Sequence, residues 1–182
     1  MSDSLPERVV ARREVFRGRI LSLRVDEVVL PSARRTTREI VEHPGAVVIV
    51  APDDRRRVAM VRQYRAAIGQ VLIELPAGTR EPNEDAEACA RRELAEEMGL
   101  EAASWTALGG FYSAPGFCTE YLSLFLATGL APAPGRPEED ESIQREWIEL
   151  RDVPTLIASG EIRDAKSIVG LLRYLSAMKT GD

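Results

Sequence analysis

Histidine, lysine and cysteine are scarce in this 182-residue chain, and each scarcity removes a kind of chemistry. His43 is the single histidine and stands before Pro44 at a strand end, where a structural role is expected, so histidine-based catalysis has one candidate. The two cysteines, Cys89 and Cys118, form no CxxC or Cys/His cluster, which argues against zinc and for free thiols in a reducing compartment. Lysine occurs only as Lys166 and Lys179, so the basic side chains are almost all arginine, whose planar fork suits phosphate. A positive balance is also missing. With 24 basic and 29 acidic residues the net charge is −5, which offers no general attraction to nucleic acid polymers or anionic membranes. No run approaches the roughly 18 apolar residues of a membrane span, and the charged N-terminus lacks an apolar segment of signal-peptide length; a cytoplasmic protein is expected.

What is present suffices for one core: 45% hydrophobic content in 182 residues. Glu7 to Leu30 reads as two extended segments, followed by a turn through Thr37 and a strand from Arg38 to Glu42. The apolar run Gly45 to Ala51 has the composition of a strand buried on both faces, and Val58 to Arg65 reads as its hairpin partner. Val71 to Leu75 is short and apolar, and the loop through Gly78 leads to a helix from Asp85 to Met98. Strands follow at Trp105–Tyr112, Tyr121–Ala127 and Ile143–Leu150, then helices at Asp152–Ser159 and Ser167–Met178. In the last of these Ile168, Leu171, Leu172, Leu175 and Met178 recur as a core face. Mixed strands with few helices predict an α/β sandwich.

The most specific signal is the spacing from Gly78 to Leu100: five residues to Glu84, seven more, then Arg92-Glu93-Leu94-Ala95-Glu96-Glu97-Met98-Gly99-Leu100. On a helix of about 3.6 residues per turn Glu93 and Glu97 lie one above the other with Glu96 adjacent. Crowded carboxylates repel unless a cation joins them, and a hard divalent metal is the natural occupant. This pattern resembles the box of the Nudix hydrolases, which cleave nucleoside diphosphates linked to another group. The resemblance implies a Nudix-fold α/β/α sandwich with a mixed sheet, here with a small N-terminal β extension over residues 1–37 and the hydrolase domain over 38–182. It further implies two or more Mg²⁺ or Mn²⁺ ions, with Glu93, Glu97, Glu96 and the Ala77 carbonyl as ligands. Arg92 would hold the glutamates.

Pro115, fifteen residues beyond Leu100, together with Arg38 to Val47, Gln63-Tyr64-Arg65, Glu74 to Gly78 and Thr119-Glu120, resembles the ADP-ribose pyrophosphatase branch. That implies cleavage of ADP-ribose to AMP and ribose 5-phosphate. Arg38 and Arg65 would bind phosphate oxygens, Glu120 ribose hydroxyls, Pro115 and Gly116 the substrate, and Phe16 the adenine. The base is expected among Glu138 to Glu141, as Glu139 or Glu141, with the other able to reach a metal and Glu96 next in line. Alternatives are another nucleoside diphosphate derivative (NADH, FAD, GDP-mannose) or a non-catalytic ADP-ribose sensor. The branch also implies a homodimer whose N-terminal strands complete the partner's pocket.

Overall fold

A computed structural model describes residues 6–133 and 143–180, with the side chains of 179 and 180 outside the description. The chain divides into two compact units, Met1–Gly45 with Tyr112–Tyr121, and Ala46–Phe111 with Leu122–Asp182.

The first unit is built on an antiparallel three-stranded sheet: β1 (Arg8–Arg17), β2 (Ser22–Val29) and β3 (Arg35–Glu42), with β2 central. Its register sets Arg12 and Arg38 on either side of Asp26. Asp26 is almost fully buried and is held by Arg24 Nε, at 3.0 and 3.2 Å from its two oxygens. The 117–119 backbone pairs with β3 through Val41 N to Phe117 O and Thr119 N to Val41 O.

The second unit carries β4 (Ala46–Val50), β5 (Arg57–Arg65), β6 (Gln70–Glu74), β7 (Ala77–Thr79), β8 (Leu100–Tyr112), β9 (Tyr121–Pro132) and β10 (Ile143–Glu149). One sheet has the order β7-β4-β9-β8, in which β4 runs parallel to β9 and antiparallel to β7. A second has the order β10-β5-β6 and is antiparallel. The helices are α1 (Ala86–Glu93), a π-helical turn (Leu94–Met98), α2 (Val153–Ser159) and α3 (Ala165–Thr180).

Because β4 is apolar at every position, its alternate side chains feed two cores. Ala46, Val48 and Val50 join Leu124, Met60 and Leu171 in one, against which Leu156, Ile168 and Leu175 of α2 and α3 pack. Val47 and Ile49 join Ala59, Phe125 and the helix residues Cys89, Ala90, Leu94 and Met98 in the other. The helix of the acidic pattern thus covers one face and α2 and α3 the other, the layering expected of an α/β/α sandwich. At Gly170 an added Cβ would lie 2.6 Å from Leu75 Cδ1, so α3 approaches the strands as closely as only glycine permits.

Four expectations need correction. The hairpin between β4 and β5 does not form. The two segments share only the bridge Pro52–Val58 and the bond from Ala59 N to Ala51 O, while β5 pairs with β10 and β6. A strand buried on both faces has no local preference for one neighbour, so distant partners decide. Ala77–Thr79, read as loop, pairs with Ala46–Val48. Of the core face assigned to the last helix, Leu172 is half exposed and Met178 more than a third exposed, whereas Tyr174 packs inward. Finally, the helix from Asp85 is α-helical only to Glu93, after which the turn widens.

Candidate active site

Asp85 starts the helix: its Oδ1 accepts from the N–H groups of Glu87 (2.9 Å) and Ala88 (3.3 Å), filling two of the donors a helix start leaves bare. Gly99 ends it in the left-handed conformation (φ 65°), the usual glycine stop. Between them the π turn changes the angular relation of Glu93, Glu96 and Glu97 from that of a regular helix. Such widened turns recur at functional sites.

Arg92 organises the cluster. Its guanidinium donates to Glu84 (Nε to Oε1 3.0 Å, Nη2 to Oε2 3.1 Å), to Glu93 (2.7 Å) and to Glu96 (2.9 Å). The Glu84 carboxyl is held down at about 2, first by its hydrogen bonds from Arg92, against burial that opposes ionisation. Arg92 is pushed further toward its charged form by the same bond to Glu84. The sequence pattern required Glu84 at its spacing without assigning it a role; the structure makes it the far anchor of Arg92.

Glu93 and Glu97 are buried. Glu97 Oε2 accepts from the Ala77 N–H at 3.0 Å. A Cβ on Gly78 would overlap the Glu93 carboxylate, so glycine is needed here for close approach; its φ is not positive, and conformational freedom is not the reason. Cys89, beneath the same loop, has its thiol pushed up to about 12 by burial and then by Glu84, which leaves it protonated and unreactive.

Arg65 and Glu74 form a second network. Glu74 is 1% exposed and takes both arms of the Arg65 fork (Nε to Oε1 2.8 Å, Nη2 to Oε2 2.5 Å) and the ammonium of Lys166, which also binds Asp164 at 3.0 Å. Burial pushes the Glu74 carboxyl up, but Arg65 and Lys166 outweigh it and the carboxyl is held below its ordinary value. The buried Ser167 hydroxyl donates to Asp164 (2.6 Å) and accepts from Leu75 N–H (2.7 Å). The start of α3 is thereby tied to the residue before Pro76 and Ala77.

The remaining candidates fall as follows. Arg65 retains Nη1 without a hydrogen-bond partner among the described residues, and Glu97 lies within its electrostatic range. Phe16, Arg38, Pro115, Gly116 and Glu120 belong to the first unit. There Arg38 binds Glu7 through Nε (3.0 Å) and Nη2 (2.5 Å), Phe16 is exposed, and Glu120 Oε1 sits 3.6 Å from His43 Nδ1. His43 Nδ1 also accepts from the Gly45 N–H at 3.1 Å, a structural bond. A cleft of about 330 Å³ in this unit is lined by Arg17 to Ser22 and Glu42 to Pro44, and none of the acidic-pattern residues reaches it. Glu138, Glu139, Asp140 and Glu141 lie outside the described residues. Among those described, no three His, Cys, Asp or Glu side chains stand together as a ready metal cage, and Glu93 and Glu96 are turned to Arg92.

Sequence reasoning missed Arg145. From β10 its Nε donates to Glu97 O at 2.7 Å and its Nη2 approaches Glu96 O at 3.4 Å. It also missed Lys166, for which rarity was the only available hint. Neither has a local signal for its main contact, since Glu97 lies 48 residues from Arg145 and Glu74 lies 92 from Lys166.

An α/β sandwich thus carries Glu93 and Glu97 beside Gly78 and Ala77 of β7. The family profile described as NUDIX domain matches residues 41–169, and the chain belongs to that family: it is a Nudix hydrolase. A second profile, the nucleoside diphosphate sugar hydrolase N-terminal domain, matches residues 7–41. The chain is 39% identical to an ADP-ribose pyrophosphatase of Bacillus subtilis, covering 94% of both chains. It is 40% identical to an ADP-ribose pyrophosphatase of Mycobacterium tuberculosis over 94% of this chain and 84% of that one. A methanol dehydrogenase activator of Bacillus methanolicus is 34% identical over 96% and 95%. A solved structure described as an ADP compounds hydrolase superposes with a TM-score of 0.87 at 22% identity, over 99% of this chain and 98% of that one, a likeness of fold. No helix among the described residues is long and apolar enough to cross a membrane.

Proposed function

We propose that the chain hydrolyses the pyrophosphate of ADP-ribose, adding water across the P–O–P bridge to give AMP and ribose 5-phosphate. The observation that carries this is the pair Glu93 and Glu97 set against Gly78 and Ala77, with Glu96 joined to Glu93 through Arg92, in a chain about 40% identical to two proteins named for that reaction. The hard carboxylate oxygens of Glu93 and Glu97 beside the Ala77–Gly78 backbone suit Mg²⁺ or Mn²⁺, and with Glu96, the Ala77 carbonyl and, by family resemblance, Glu141 they would hold two or more ions. Bound there, such ions neutralise the diphosphate oxygens and acidify water. For Glu96 and Glu93 to serve, Arg92 yields part of its hold while keeping Glu84.

The rest falls to the chain's own side chains. Arg38 and Arg65 orient phosphate, Arg65 through its unused Nη1 or by loosening Glu74, while Glu120, Pro115, Gly116 and Phe16 receive ribose and adenine. Glu139 or Glu141 takes the proton from water, with Glu96 next in order. Residues 1–37 form an extension that joins two copies, and the protein works in the cytoplasm. Sedimentation of the intact protein and of a form lacking residues before Pro31 tests the pairing, which fails if the active intact protein is a monomer.

A panel of ADP-ribose, NADH, FAD and GDP-mannose at fixed Mg²⁺, with products separated by chromatography, tests the substrate. Preference for ADP-ribose by kcat/KM with AMP released supports the reading; a far higher value for another compound replaces it. The likeness to a dehydrogenase activator favours a second reading, ADP-ribose sensing for a protein partner, which binding without cleavage in the presence of metal would establish.

A further inference from the structure

We propose that Arg145 is a positioning residue for the acidic cluster. It would act by fixing the end of the helix that carries Glu96 and Glu97, an inference that rests on the hydrolytic reading above. The last four carbonyls of a helix have no partner within it. Here the Gly99 N–H is spent on Ala95 O and Leu94 O, and the Gly99 carbonyl accepts from Ala133 N–H at 2.9 Å. The carbonyls of Glu96 and Glu97 fall beyond those bonds, and both are met by one guanidinium, at 3.4 and 2.7 Å. A cation at a helix C-terminus also opposes the partial negative charge there.

The location matters more than the capping. Glu97 is held at its carboxylate by Ala77 N–H and at its backbone by Arg145, so it is fixed from both ends between β7 and β10. A widened turn has weaker inherent geometry than an α-helix, which makes outside support for its carboxylates more consequential. Gly99 completes the arrangement: a Cβ there would lie 3.0 Å from Arg145 Nη1, so the glycine that ends the helix also makes room for the fork. Lysine would supply the charge but not two donors in one plane.

The test compares Arg145→Met and Arg145→Lys with the parent protein. Removing a group that orients a site through its ligands lowers activity by about 10- to 100-fold. Arg145→Met should therefore lose about that much kcat on ADP-ribose with KM changed less than threefold, and Arg145→Lys should recover part of it. In a second measurement, made without substrate, Mn²⁺ titrated into each protein by calorimetry should bind Arg145→Met at least about tenfold more weakly. Unchanged kcat and unchanged Mn²⁺ affinity in a folded Arg145→Met would overturn the proposal, as would a KM rise with kcat intact, which marks a substrate contact. If Arg145→Met does not fold, Arg145→Lys decides on the same two measurements, and parent-like values in both overturn it. Should the parent protein fail to cleave ADP-ribose, the substrate reading falls, while the Mn²⁺ titration still judges Arg145.

Discussion

Around Glu74 two carboxylates and two cations balance: Glu74 and Asp164 against Arg65 and Lys166. Around Arg92 a single guanidinium serves Glu84, Glu93 and Glu96, and Glu97 adds a further carboxylate on the same turn. Glu74 and Glu84 stand ten residues apart along the chain, yet the networks built on them do different work. A charge-balanced set, with only Arg65 Nη1 left over among the described donors, holds strands β5 and β6 to α3 and carries no excess charge for a further ion to relieve. A set in which carboxylates outnumber their cation carries repulsion that a divalent ion relieves. Excess acid on one helix face thus marks a place for chemistry, and charge balance marks architecture.

Glu97→Gln should break the comparison hardest on the side of function. It removes the charge of a proposed metal ligand and keeps the shape, so kcat on ADP-ribose should fall by more than the roughly 100-fold that even an indirect partner can cost, while the melting temperature holds or rises as repulsion drops. Near-parental turnover at saturating metal would remove Glu97 from the metal-binding set. Glu74→Ala should show the reverse. Breaking a buried pair costs about 3 kcal/mol, read by denaturant unfolding, with kcat little changed at a temperature where the variant is folded. A loss of kcat equal to that of Glu97→Gln, at undiminished stability, would mean that Glu74 itself, and not only its partner Arg65, belongs to the reaction.

Gly78→Ala sharpens the contrast, because the new methyl occupies the place of the Glu93 carboxylate. Overpacking of this kind costs about 1–3 kcal/mol, and here we expect it to appear mainly as lost activity, since the carboxylate is what must move. Equal activity with lowered stability would show that Glu93 is dispensable. The smallest effect concerns pH. Glu84, at about 2 in the folded protein against an ordinary 4.5, stabilises the fold at and above pH 4.5, and that contribution is lost as pH falls through about 2. Glu84→Gln should flatten the dependence of unfolding free energy between pH 4.5 and 2, and an unaltered slope would show that Arg92 does not hold Glu84 in solution.

The acidic pattern was legible because it is local. Gly78, Glu84, Arg92, Glu93, Glu96, Glu97 and Gly99 follow one another through a short strand, a turn and one helix, where spacing sets proximity directly. The buried strand Ala46–Val50 was legible for a related reason, since an unbroken apolar run has no face to offer water. The pairing of β5 was not, because an apolar strand suits many neighbours. The π turn was hidden as well, Leu94–Met98 having no composition that distinguishes it from α-helix.

By itself, then, the sequence determined the carboxylate-bearing helix and the class of fold through short-range spacing and hydrophobic pattern, and the hydrolase family through the resemblance carried by its Gly78–Leu100 motif. Only the tertiary structure decided that Arg65 spends two arms of its fork on a buried Glu74, that Arg92 is anchored by Glu84, and that Arg145 reaches back 48 residues to Glu97. The physical reason is range. Helix and strand preferences act between neighbours in sequence, whereas a guanidinium takes whichever carboxylate or carbonyl the assembled sheet brings within about 3 Å.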